Sequence, residues 1–195
     1  MGSFDLDTDE LLAFVRINIE NRELEPALLK LKTIMGNSDV PAEAYLIAAR
    51  LYASLGLFLK SQEHYKLYNS AEPQNTIGRF ELGMTLFDSN DDTGALEHWK
   101  LILDDNPTHP PALFYTALAQ AKLGDIATAQ SQLDILMKSV AADNAYFQKG
   151  RELAASLDAQ QGTGKGMDKP VAIDAYSEDN SAEASTTLSE DKVTH

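Results

Sequence analysis

The chain has 195 residues, 44% of them apolar, with 30 Asp and Glu against 16 Lys and Arg. A net charge of −14 argues against charge-driven binding to nucleic acid or an anionic membrane, because phosphates are repelled. Cysteine is absent, which excludes a disulfide framework, a thiol nucleophile and a zinc ribbon.

Residues 1–7 form a short acidic extension with neither the basic nor the apolar stretch of a cleaved signal peptide. No run approaches the roughly 18 apolar residues a membrane span needs, so a cytoplasmic protein is expected. From residue 8 a 34-residue step sets in. Ala27, Ser61, Ala95 and Ala129 are spaced by it. So are Gly56, Asn90 and Gly124, then Tyr65, Trp99 and Leu133, and Pro73 and Pro107. A fixed period of this length marks stacked supersecondary units, none of which buries its apolar face alone.

Four units align without gaps, at 8–41, 42–75, 76–109 and 110–143. Each reads as two helices and a short turn. In the second unit Glu43, Tyr45, Ala48, Ala49 and Tyr52 recur at helical spacing. Gly56 supplies the left-handed residue that ends the first helix. The second helix runs from about Phe58 to Ala71 with Tyr65 and Tyr68 inward, and Pro73 closes the unit. In the third unit Asp91 and Asp92 stand where a helix start favours negative charge. Residues 144–158 read as one more first helix, with Tyr146, Phe147, Leu153, Ala154 and Leu157 set to cover the fourth unit as a cap. Residues 159–195 are rich in Ser, Thr, Gly and acid with a single aromatic, Tyr176, and read as a disordered acidic tail. Val171, Ile173 and Tyr176 within it could serve as a short docking motif.

These residues resemble the tetratricopeptide repeat family over 8–143. That pattern has small residues at position 8 (Val15, Ala49, Gly83, Ala117) and position 20 (Ala27, Ser61, Ala95, Ala129), where two helix backbones cross closely. It also has Gly near 15, an aromatic at 24 and Pro at 32. Asn18 and Gln120 depart from it at position 11, Arg79 at position 4, and Arg22 and Asn90 at the turn. The resemblance implies an all-α, right-handed solenoid of about four repeats with a C-terminal capping helix.

It also implies a concave groove lined at positions 5, 9 and 12 of each first helix. In this chain those are Leu12, Arg16 and Ile19; Leu46, Arg50 and Ala53; Phe80, Met84 and Phe87; Phe114, Leu118 and Ala121. Of these, Phe80, Met84, Phe87 and Phe114 are expected to form a solvent-facing apolar row, the kind of patch that marks a binding surface. Arg16 and Arg50 are expected either to hold a partner's carboxylate or to pair with Glu20, Glu23 or Glu43 of the chain. Position 9 carries no Asn, which disfavours the subclass that clamps a C-terminal carboxylate. Glu63-His64 and Glu97-His98 repeat 34 residues apart, but a zinc site needs three or four close ligands and none is supplied. Gly162-Thr-Gly-Lys lacks the spacing of a phosphate loop and reads as a hinge.

No cofactor, metal or enzymatic activity is expected. The expected role is an adaptor holding an apolar or basic segment of another protein, extended or helical, in the groove. The alternatives are a dedicated chaperone of the secretion type and a structural subunit that acts through its ends or by homodimerising.

Overall fold

The computed structural model describes residues 6–162 of the chain. Among the described residues it is all-α, with nine helices: α1 Thr8–Glu20, α2 Leu24–Met35, α3 Ala42–Ser54, α4 Phe58–Ala71, α5 Thr76–Asp88, α6 Asp92–Asp105, α7 Pro110–Lys122, α8 Ile126–Ser139 and α9 Ala145–Gly162. They fall into two compact units divided between Thr85 and Leu86, inside α5. The docking motif at Val171, Ile173 and Tyr176, and the tail beyond 162, lie outside the described residues.

The chain turns the same way between the paired helices in every repeat. Arg22, Gly56, Asn90 and Gly124 all have φ between 60° and 86°. At each turn the following N–H bonds back to the carbonyl five residues earlier: Glu23 to Asn18, Leu57 to Tyr52, Asp91 to Leu86 and Asp125 to Gln120, at 2.7–2.9 Å. This is a Schellman closure, made by backbone groups alone. It therefore tolerates Arg22 and Asn90 at the turn, and Asn18 and Gln120 at position 11.

Helix starts use the side chains at hand. Asp7 and Glu10 form a capping box on α1, with bonds of 2.8 and 2.9 Å. Asp91 and Asp125, 34 residues apart, accept from Gly94 and Thr128 N–H at the starts of α6 and α8. His109 caps α7, its Nδ1 accepting from Ala112 N–H at 3.2 Å.

Within each pair the helices meet on the small residues. Ala27, Ser61, Ala95 and Ala129 are completely buried. In the first unit Leu11, Val15, Leu31 and Ile34 of the first pair close over Ala44, Ala48 and Leu51 of α3. There α5 approaches α4 at Gly78, where a Cβ would run into the Tyr68 ring and lie 2.5 Å from Asn69 Oδ1. In the second unit Trp99 is fully buried between Phe87 and Tyr115, at ring separations of 5.9 and 5.7 Å. The last helix, α9, seats Leu153 and Leu157 with no exposure and passes close to Leu136 at Gly150. It runs to Gly162, beyond the expected end at 158, because Ala159, Gln160 and Gln161 are ordinary helix formers and the next glycine after 158 is Gly162 itself.

Two predictions follow from this packing. Gly78→Ala should destabilise the protein by ~1–3 kcal/mol in urea unfolding, since overpacking outweighs the ~1 kcal/mol that Ala gains over Gly in a helix. A variant as stable as the parent would show that α4 and α5 do not approach this closely. For His109, burial lowers the imidazole pKa below its ordinary value of 6.5. The lone pair that caps α7 exists only in the neutral ring. The folded pKa lies below the unfolded one, so the unfolded chain binds the proton first as pH falls. Stability should therefore be present above about pH 6.5 and decline below it. His109→Asn, a cap that does not titrate, should flatten that limb of a melting-temperature profile measured from pH 7.5 to 5.

Candidate interaction face

The first helices carry the residues expected to line a groove, and the structure sorts them unequally. Ile19, Leu46, Arg50, Ala53 and Phe80 are half-buried and Arg16 is exposed, all in the first unit. Leu12 and Met84 of that unit are buried, as are Phe87, Phe114, Leu118 and Ala121 of the second. The expected solvent-facing row of Phe80, Met84, Phe87 and Phe114 is thus corrected. Phe80 alone of the four retains substantial exposure. Phe114 has none: it lies edge-on to Tyr115 at 5.2 Å and beside Tyr146 of the capping helix at 5.9 Å. Phe87 is covered by Trp99 and by the Lys122 ammonium, 4.8 Å above its ring.

The two arginines pair within the chain. Arg16 makes a forked contact with Glu43, Nη2 lying 2.6 and 2.7 Å from the two carboxylate oxygens. Both side chains are nearly half exposed, at 49% and 41%. Arg50 binds Glu81 through Nε at 2.8 Å and Nη2 at 2.6 Å, with the pair only 15% and 20% exposed. Tyr65 donates its hydroxyl to the same carboxylate at 3.0 Å. Burial opposes the Arg50 charge, but the bond and charge of Glu81 outweigh it and the guanidinium pKa is raised. Burial, followed by the charge of Glu81, pushes the Tyr65 phenol well above its usual 10. The expected capture of a partner's carboxylate is corrected accordingly: both forks already hold one.

His64 is held by its own helix, Nδ1 lying 2.8 Å from Lys60 carbonyl oxygen, with its ring against Tyr52. No cluster of three or more metal-ligating side chains occurs among the described residues. No helix among them is long and apolar enough to cross a membrane.

Three solved structures share this arrangement of helix pairs. A tetratricopeptide repeat protein from Parabacteroides merdae ATCC 43184 superposes with a TM-score of 0.69 at 16% identity, over 78% of this chain and 60% of its own length. The chain has a tetratricopeptide-repeat fold. MamA matches at 0.63 and 13% identity, over 91% of this chain and 98% of MamA. A further MamA structure, MamA AMB-1, matches at 0.58 and 14%, over 82% and 100%. The chain thus spans less than two thirds of the Parabacteroides protein. No protein-family model matches the sequence, and no curated protein matches it significantly.

Two residues of the tetratricopeptide fold were not singled out by the pattern. Glu81 lies 31 residues from Arg50, and nothing local marks it. Lys122 joins Asn90 at 3.2 Å and Asp92 at 2.8 Å, tying the end of α7 to the preceding turn. Its signal is its place in the last turn of a first helix, where a cation favours the helix carbonyl end.

The sorting predicts unequal mutational costs. Phe114→Ala should lower stability by ~3–5 kcal/mol, the range for emptying a buried aromatic site, as measured by urea unfolding. A loss under about 1 kcal/mol would return Phe114 to the exposed class. Glu81→Ala should cost about 3 kcal/mol by stranding Arg50 and Tyr65, whereas Glu43→Ala should cost under about 1 kcal/mol because water replaces the carboxylate. Equal costs would contradict this reading of the two pairs.

Proposed function

We propose that the protein is a non-enzymatic adaptor that binds a segment of another protein along the first helices of its first unit. The supporting observation is the tetratricopeptide-repeat fold, which presents successive first helices side by side. On those helices Ile19, Leu46 and Phe80 remain partly accessible beside the Arg16–Glu43 and Arg50–Glu81 pairs. Leu12 and Met84 are buried within the first unit, Phe87, Phe114 and Leu118 within the second, and none of them is assigned direct contact.

The partner chemistry follows from charge. A chain at −14 attracts basic segments and repels acidic ones. The proposed ligand is an extended or helical peptide with apolar anchors and basic flanks, the anchors providing most of the affinity. A second reading, a subunit of a larger assembly, is favoured by one observation: an apolar face of α1 lies open, with Phe14 44% and Ile17 48% exposed.

The test is capture of partners from native lysate on immobilised full-length protein. Ile19→Asp with Leu46→Asp should abolish capture while circular dichroism stays unchanged. The captured protein should also elute with moderate salt, as an acidic host and basic ligand require. Undiminished capture by the folded double variant would sink the proposed face.

A further inference from the structure

A groove of about 510 Å³ is built from α6, α7 and α8, wholly within the second unit. That is within the ~300–1,000 Å³ that ligand sites occupy. Leu96 and Leu103 of α6 and Ile135 of α8 supply its apolar walls. Thr116 and Gln120 of α7 and Gln132 of α8 supply its polar atoms. Both glutamines are half-buried. Thr116 is 7% exposed, and its hydroxyl oxygen is buried without a hydrogen-bond partner among the described residues.

The same positions two repeats earlier, in the first unit, hold an aromatic plug. Leu28 and Met35 stand where Leu96 and Leu103 do, and both pack against the core that contains Tyr52. Tyr52 stands at the position of Gln120 and is 7% exposed. Its ring lies 5.1 Å from that of His64, which stands at the position of Gln132. The second unit thus keeps the apolar walls and exchanges the two rings for two amides. Its edge differs as well. Leu29 and Gly36 of α2 become Glu97 and Asp104 of α6, both exposed, while Lys32 and Lys100 match. The groove that lacks the ring has gained two carboxylates beside it.

We infer that this groove binds a segment of another protein that inserts a tyrosine side chain between α6 and α8, with a basic residue on either side of the tyrosine. The ring takes the place that Tyr52 fills in the first unit. Its hydroxyl meets a polar set, the Gln120 and Gln132 amides and the Thr116 hydroxyl, that a phenylalanine would cover without bonding. The basic flanks meet Glu97 and Asp104, which outnumber Lys100 at the edge. Seven residues of helix separate those two acids by about 10 Å, a distance that three to four residues of extended chain cover at ~3.3 Å each. Arginines two residues to either side of the tyrosine match that span. The site shares no residue with the interaction face proposed on the first unit and does not depend on it.

The probe is the acetylated, amidated peptide Arg-Ala-Tyr-Ala-Arg, titrated into isotope-labelled full-length protein and followed by NMR. Saturable shifts of the Gln120 and Gln132 side-chain amides and of the Thr116 N–H are expected. Replacing the tyrosine by alanine, or both arginines by glutamate, should weaken binding about tenfold or more. Gln120→Tyr with Gln132→His refills the groove as in the first unit, and should abolish binding while raising the melting temperature. Glu97→Lys with Asp104→Lys alters exposed positions only, and should reverse the preference toward the glutamate-flanked peptide. This second variant decides the matter if the refilled one does not fold. The inference is overturned if the parent protein shows no saturable shifts at the groove, or if the alanine peptide binds equally well. It is also overturned if the folded, refilled variant still binds, or if the charge-reversed variant keeps its preference for arginine flanks.

Discussion

The close crossing of paired helices governs this structure. Two α-helix backbones can approach at Ala27, Ser61, Ala95 and Ala129 only because no larger side chain stands there. Fixing that crossing fixes the rest of the pair. The left-handed turn must recur at 22, 56, 90 and 124, and the residues at position 24, Leu31, Tyr65, Trp99 and Leu133, must enter the core. The turn is enforced by backbone bonds. Its side chain can consequently be Arg or Asn at a cost of about 1–2 kcal/mol in local conformation, which the surrounding packing absorbs.

The polar contacts have a different character in their two settings. Arg16–Glu43 is a surface fork and adds little. Arg50–Glu81 is largely desolvated, and the Tyr65 hydroxyl completes the carboxylate's coordination. Such a network stabilises only as a whole, because each member is costly to bury without the others. It occupies two of the polar positions on the proposed interaction face. A partner must therefore be recognised through the apolar residues beside it and through long-range charge.

The repeat was legible because its signals are local and periodic. Small residues, turn residues and prolines recur every 34 positions whatever surrounds them. Burial of the first-helix rows was not legible. Position 5 is half-buried as Phe80 and fully buried as Phe114, although both are phenylalanines on equivalent helices. The difference at Phe114 comes from Tyr115 and Tyr146, and no rule of spacing places the Tyr146 ring there. Glu43 could be named as a partner for Arg16 because a short list of nearby acids exists. Glu81 could not, because its meeting with Arg50 depends on how α5 lies against its neighbours. The end of α9 is not legible either, since polar composition does not by itself stop a helix.

The chain contains a single tryptophan, Trp99, at position 24 of the third repeat. Trp99 has zero exposure and lies between Phe87 and Tyr115, so its fluorescence reports on the repeat register. Native protein should show blue-shifted emission that acrylamide quenches poorly, and both properties should be lost in one cooperative urea transition coincident with loss of helicity. Emission already red-shifted and freely quenched in the native state would contradict the register, and with it the packing from which the rest of the structure is derived.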